Sequence, residues 1–132
     1  MIVVDTNIIS YLLIPNEKYN QSATDLLEKD TSWIAPYLWH YEFLSVLALY
    51  LRKSVIDVNQ SRELYKKACE IVESRKLSDA ADVLNLTAEC SLSAYDCSYV
   101  ALAKETRLPL ITEDKKILSE FSEVALNLKG YL

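Results

Sequence analysis

Three carboxylates in this 132-residue chain stand apart from any cation. Asp5 follows four uncharged residues and precedes eleven more, Glu42 sits in a stretch without Lys or Arg from Thr31 to Leu51, and Asp96 meets no basic residue before Lys104. Surface acids ordinarily come mixed with Lys and Arg. An isolated charge on a buried face costs several kcal/mol, so Glu42 in particular needs a partner from elsewhere in the fold. A divalent cation is one such partner. Two unit charges about 4 Å apart repel by roughly 4 kcal/mol at an effective dielectric near 20, so carboxylates gathered in one cleft take up protons or metal. Oxygen donors without a Cys or His cluster point to Mg²⁺ or Mn²⁺ rather than zinc. The single histidine, His40, reads as a packed or partly exposed imidazole, which argues against a histidine general base.

Each acid also has a plain structural reading that its local sequence leaves open. Asp5 suits a helix N-cap, and Asp96 suits the N3 position of a capping box opened by Ser93. Asp114, beside Lys115 and Lys116, suits a cap or solvated surface, and Glu42 a charge that reaches out of an apolar helix.

Composition narrows the chemistry. The length is that of one domain, 1–132, and 51% hydrophobic with 25% charged residues is ordinary globular composition. The only glycine is Gly130, so neither a P-loop nor a dinucleotide-binding fingerprint can be written. Three cysteines without a C-x-x-C pair suggest neither a disulfide framework nor a zinc ribbon, and a reducing cytoplasm is the expected location. No basic leader or long apolar run precedes the first polar residues, so no membrane span is expected. Fourteen basic against nineteen acidic residues give a net charge of −5, which opposes affinity for polyanions unless a cation is added.

The elements that must position these acids follow from pattern. Ile2-Val3-Val4 is a short β-branched run of the kind buried on both faces of a parallel sheet. It ends at Asp5-Thr6-Asn7, a strand-to-helix junction, and Pro15 and Asn16 close the helix that follows. A helix over 20–29 leads to a second strand at Trp33-Ile34-Ala35 before Pro36. Residues 37–51 are apolar nearly all round. The stripe of Trp39, Tyr41, Phe43, Val46, Leu47 and Tyr50 exceeds one core face, which predicts either a fully internal helix, a homodimer surface or a groove for a partner segment. An amphipathic helix is expected over 58–76 and another from Ser78 or Asp79 to Glu89. Ser93 opens a further helix carrying Tyr99, Val100, Leu102 and Ala103. After Pro109 come a third strand at Leu110-Ile111-Thr112, a short helix over 115–121 and a last strand over 124–128. This alternation predicts a three-layer α/β/α domain with a short, mainly parallel sheet. Ligands in such sheets gather beyond the carboxyl ends of the strands, which selects Asp5 and Asp114.

Four segments together resemble the PIN-domain ribonucleases, most closely the compact VapC-type toxins of toxin–antitoxin pairs. They are Ile2-Val3-Val4-Asp5-Thr6-Asn7, Glu42 in the third helix, Leu92-Ser93-Ala94-Tyr95-Asp96-Cys97-Ser98-Tyr99-Val100-Ala101-Leu102-Ala103, and Leu110-Ile111-Thr112-Glu113-Asp114. They occur in family order over nearly the whole chain. The resemblance implies that Asp5, Glu42, Asp96 and Asp114 form an acidic catalytic pocket binding Mg²⁺ or Mn²⁺, with Asp5 and Asp96 the commonest direct ligands. It implies that Thr6, Asn7 and Thr112 hold the acids or touch the scissile phosphate. Two residues depart from the pattern: Ser91 stands where relatives often have glycine, and Glu113 adds a carboxylate.

The implied activity is metal-dependent hydrolysis of RNA to a 5′-phosphate product, with a cognate antitoxin and a homodimer as partners. A catalytically weak PIN module acting by RNA or protein binding is the alternative. Lys104, Arg107, Lys115 and Lys116 either line the path of the RNA strand or are solvated helix faces. A phosphorylatable receiver domain lacks its required acidic pair here, and an Asp-x-Asp phosphatase is disfavoured by Asn7.

Overall fold

The computed structural model describes residues 1–15 and 18–132. Ile2–Val4 form β1, buried at every position as an unbroken apolar run requires of a strand covered on both faces. It is the central strand of a five-stranded sheet ordered β3-β2-β1-β4-β5, with β2 at Trp33–Pro36, β3 at Val72–Arg75, β4 at Leu110–Ile111 and β5 at Ala125–Leu126. Every neighbouring pair is parallel. Parallel neighbours cannot be joined by tight turns, and helices make the crossovers. The crossover helices are α1 (Thr6–Leu13), α2 (Asn20–Lys29), α3 (Trp39–Arg52), α4 (Val58–Ile71), α5 (Ala80–Glu89), α6 (Ala94–Thr106) and α7 (Lys115–Glu120), and α8 (Leu128–Tyr131) follows β5. Helix α6 packs directly on β1, β2 and β4 and carries α5, while α1 packs with α2, α3 and α4. The expected three-layer α/β/α arrangement is present.

Two stretches depart from the expectation. The helix predicted over 58–76 stops at Ile71, and Val72–Arg75 pair with the whole of β2 from Trp33↔Val72 to Pro36↔Arg75. Val72 is already extended, at φ −106° and ψ 121°. Helical periodicity favours continuation, but β2 is buried over Trp33, Ile34 and Ala35 and its free edge needs hydrogen-bond partners; tertiary pairing overrides the local pattern. The last strand, expected over 124–128, is confined to Ala125–Leu126. Asn127 then caps α8, its side chain accepting from the Gly130 N–H at 2.7 Å. The first helix ends at Leu13 with Ile14 as C-cap; Asn16, expected to help close it, lies outside the described residues.

Helix α3 buries Trp39, Phe43 and Leu47 on one stripe, with Val46 and Tyr50 partly buried against the same core. Tyr41, Leu44 and Leu49 face outward, Tyr41 at 77% exposure. No described helix is long and apolar enough to cross a membrane.

The strand order decides where a site can form. From β1 the chain builds β2 and β3 on one side, then returns to add β4 and β5 on the other. The order therefore reverses between β1 and β4, where crossovers diverge and open a crevice beyond the strand ends. Register places Val4 beside Ile111, which brings the next residues, Asp5 and Thr112, to the mouth of that crevice. The Asp5 N–H donates to the Ile111 carbonyl at 3.0 Å and fixes the pairing to its last rung.

Candidate active site

Asp5 is the first polar residue after β1 and is only 9% exposed. It caps α1, Oδ1 accepting the Thr6 N–H at 2.7 Å, while Oδ2 accepts the Thr112 hydroxyl at 2.7 Å and the Asn7 amide at 3.5 Å. Thr112 Oγ1 in turn accepts the Asp114 N–H at 3.0 Å. Asn7 bridges the same two strand ends: Nδ2 donates to Thr112 Oγ1 at 3.4 Å and Oδ1 accepts the Glu113 N–H at 3.4 Å. Each of the polar positions expected beside the acids is engaged with them or with one another.

Glu42 lies in the first turn of α3 and reaches Thr6 from the other side. Its Oε1 accepts from Thr6 Oγ1 at 3.1 Å and from the Tyr99 hydroxyl at 2.7 Å, and those two hydroxyls are themselves 2.7 Å apart. Two hydroxyl hydrogens serve three close contacts. Both contacts to Glu42 fall on Oε1, so Oε2 keeps its lone pairs for a ligand. Tyr99 was expected only as a core residue of its helix, and it is 1% exposed. The missed signal is spacing: Tyr99 follows Asp96 by three residues, so one turn of α6 directs both toward the same crevice.

Ser93 caps α6, its hydroxyl accepting the Asp96 N–H at 3.1 Å, and Asp96 is half-buried in the first turn. Asp114 caps α7, with Oδ1 accepting the N–H groups of Lys116 at 2.9 Å and Ile117 at 3.1 Å.

The four carboxylates form a chain of mutual repulsion. Burial raises Asp5 to about 7, with the charges of Glu42 and Asp96 adding to the rise against the hydrogen bonds from Thr112 and Thr6. Burial also raises Asp96, helped by the charge of Asp114 and opposed by Ser93 and by Lys116. None of the ion pairs among the described residues involves any of these acids. Asp5 and Asp96, which burial and like charge both discourage from ionising, stand among oxygen donors that fit a hard divalent cation. Among the described residues no three acidic, histidine or cysteine side chains close into a tight ligand shell. Cys97, beside Asp96 in sequence, is buried, and burial with the neighbouring Cys90 thiol pushes it up to about 12, so it offers no thiolate to a softer metal.

The remaining expected residues have other employment. His40 Nδ1 is 2.7 Å from the Tyr65 hydroxyl and Nε2 is 2.7 Å from Ser74 Oγ, and burial lowers its basicity. Lys104 pairs with Glu123 at 3.6 Å, and Arg107 closes α6 in the left-handed conformation. Lys115 and Lys116 are exposed, with Lys116 near Asp96. Ser91 is not among the described residues of positive φ, so no glycine is required there; its N–H and hydroxyl instead hold Glu120 at 3.1 and 2.8 Å.

Residues 2–125 match the PIN domain family. A curated relative, Ribonuclease VapC3 of Pyrobaculum aerophilum, is 25% identical over 127 residues, covering 91% of this chain and 94% of its own. A toxin–antitoxin complex from Klebsiella pneumoniae superposes with a TM-score of 0.72 at 20% identity, over 97% of this chain and 98% of that one. The solved protein PAE2754 of Pyrobaculum aerophilum superposes with a TM-score of 0.76 at 22% identity, over 96% and 83%.

The raised Asp5 sets a sign for metal-free stability. The unfolded chain ionises Asp5 near its ordinary 3.8, while the folded chain holds the proton to about 7. Stability therefore falls as pH rises between those values, by at most roughly 4 kcal/mol, and levels off above them. Thermal melts in chelator at pH 5 and pH 8 are expected to show the higher midpoint at pH 5. Asp5→Asn is expected to flatten that slope and raise the midpoint at pH 8. A second expectation concerns Tyr99→Phe, which deprives Glu42 and Thr6 of a buried partner. A denaturant titration should show a loss of about 1–3 kcal/mol, and no loss would mean that the hydroxyl is not bonded as described.

Proposed function

This chain belongs to the PIN-domain family, and on that premise we propose that it is a divalent-metal-dependent endoribonuclease, the toxin of a toxin–antitoxin pair acting in the cytoplasm. Asp5 carries this reading: a carboxylate buried at the sheet's switch point, pushed to about 7 beside Glu42 and Asp96 with no ion-pair partner among the described residues. A purely structural cap gains nothing from such surroundings. The likeness to a ribonuclease and to a toxin–antitoxin complex supports the same conclusion.

In this proposal Asp5, Glu42, Asp96 and Asp114 hold Mg²⁺ or Mn²⁺. When bound, the ion supplies charge neutralisation, orientation of a water and stabilisation of the leaving oxygen. The chain's own residues supply the geometry. Thr112 and the Thr6 amide fix both oxygens of Asp5, and Thr6 with Tyr99 fixes one oxygen of Glu42, so the acids are preorganised before substrate arrives. The cation also resolves the electrostatic conflict of a chain with net charge −5 acting on a polyanion. Lys116, close to Asp96 and exposed, is placed to meet a phosphate of the RNA strand.

Two apolar surfaces suit the two partners. An open groove of about 440 Å³ is lined by Tyr37, Leu77, Leu84 and Tyr95, with Arg75 and Lys76 as well as Asp79, Asp82 and Glu105 around it. A rim carrying both signs lets acidic residues of one copy meet basic residues of another across a two-fold axis. On α3, the exposed Tyr41, Leu44 and Leu49 offer an apolar seat for an antitoxin segment.

Incubation of purified protein with unstructured and structured RNA tests the enzymatic reading. Cleavage is expected with Mn²⁺ or Mg²⁺, abolished by excess EDTA and reduced at least about 100-fold in Asp5→Asn and Asp96→Asn. Undiminished cleavage in EDTA or in those variants would overturn it, and RNA bound but uncut would favour a binding module. Light scattering at tens of micromolar should give twice the chain mass, shifting to monomer in Leu84→Glu combined with Tyr95→Glu. A strict monomer before mutation removes the dimer.

A further inference from the structure

We propose that Cys90 and Cys97 are a redox-modification site that closes into a reversible disulfide on oxidation by a peroxide. Seven residues apart in sequence, they belong to different elements: Cys90 is the C-cap of α5, and Cys97 lies in the first turns of α6. Their sulfurs are 3.5 Å apart, which is van der Waals contact. A disulfide bond is about 2.05 Å, so roughly 1.5 Å of sulfur movement separates the two states.

The surroundings assign that movement to one partner. Cys97 is fully buried in a helix whose neighbouring Tyr99, Val100 and Ala103 are also buried, so it cannot shift without repacking the core. Cys90 is half-buried on extended backbone, at φ −141° and ψ 179°, and apart from Cys97 its Sγ is held among the described residues by one weak hydrogen bond, from the Leu92 N–H at 3.4 Å. Rotation of the Cys90 side chain therefore brings the sulfurs together and leaves α6, with Asp96, in place. Because the folded chain already holds the thiols in contact, little further ordering is needed to join them.

Access divides the roles in the same way. The Cys90 sulfur attacks one peroxide oxygen, the O–O bond breaks, and the other oxygen leaves as water, giving Cys90 sulfenic acid. The Cys97 thiol then attacks the Cys90 sulfur, giving up its proton to the departing oxygen in the same step. The S–O bond breaks, and the hydroxyl departs as a second water with the Cys97 proton. Two thiols and one hydrogen peroxide thus give one disulfide and two waters, the two electrons passing from sulfur to peroxide oxygen. Cys69, exposed on α4, has no thiol partner in the folded chain and serves as an internal reference.

The experiment treats the folded full-length chain with hydrogen peroxide, unfolds it in alkylating agent and maps the thiols by mass. Alkylatable thiols are expected to fall from three to one, Cys69, with a peptide linking Cys90 to Cys97 and full recovery of all three in dithiothreitol. The Cys69→Ser variant, altered only at an exposed position, should form the same link and melt at a higher temperature oxidised than reduced. Retention of both Cys90 and Cys97 as free thiols, or their conversion to sulfinic acid without a link, overturns the proposal. A product joined through Cys69 instead does the same.

Discussion

One buried charge organises this molecule. Asp5 stands at the carboxyl end of the central strand, where the parallel pairing of β1 with β4 fixes its backbone and Thr112 fixes its side chain. Taking a carboxylate out of water there is unfavourable, and placing Glu42 and Asp96 nearby makes it more so. Among the described residues no arginine or lysine pairs with Asp5. Stability is surrendered at a point of concentrated negative charge, an arrangement common in functional pockets.

All four acids stand at helix N-termini, and that shared position joins their structural and chemical roles. Asp5 caps α1 and Asp114 caps α7, while Glu42 and Asp96 occupy the first turns of α3 and α6. The positive end of each helix dipole favours a carboxylate by about 0.3–1 kcal/mol, and cap hydrogen bonds aim individual oxygens. Of these helices, α1, α3 and α7 follow parallel strands that end on one side of the sheet, while α6 follows α5 and packs on β1, β2 and β4. A cap and a metal ligand are therefore compatible uses of one carboxylate: Asp114 spends Oδ1 on α7, and Asp5 divides its two oxygens between a helix amide and a strand hydroxyl.

Departures from the sequence reading share a cause. Val72–Arg75 carries a helical periodicity continuous with α4, yet the exposed hydrogen-bonding edge of β2 draws it into a strand, a demand made by residues nearly forty positions earlier. Tyr99 looks like any aromatic on an apolar helix until Thr6 and Glu42 arrive from two other elements to meet its hydroxyl. The cysteine count suggests no disulfide framework and all three thiols are free, while the packing of α5 against α6 is what sets Cys90 beside Cys97.

Read alone, the sequence determined the class of fold, the ends of most elements and the identity of the unpaired acids. Short β-branched runs, caps and missing counter-ions are local features, set by side-chain sterics and charge within a few residues. Tertiary structure alone decided that the acids come within reach of one another's charge, which hydroxyl holds which oxygen, and where β3 lies. Those outcomes depend on strand order and register, and these are fixed by hydrogen bonding and burial between segments far apart in the chain, which no local pattern encodes.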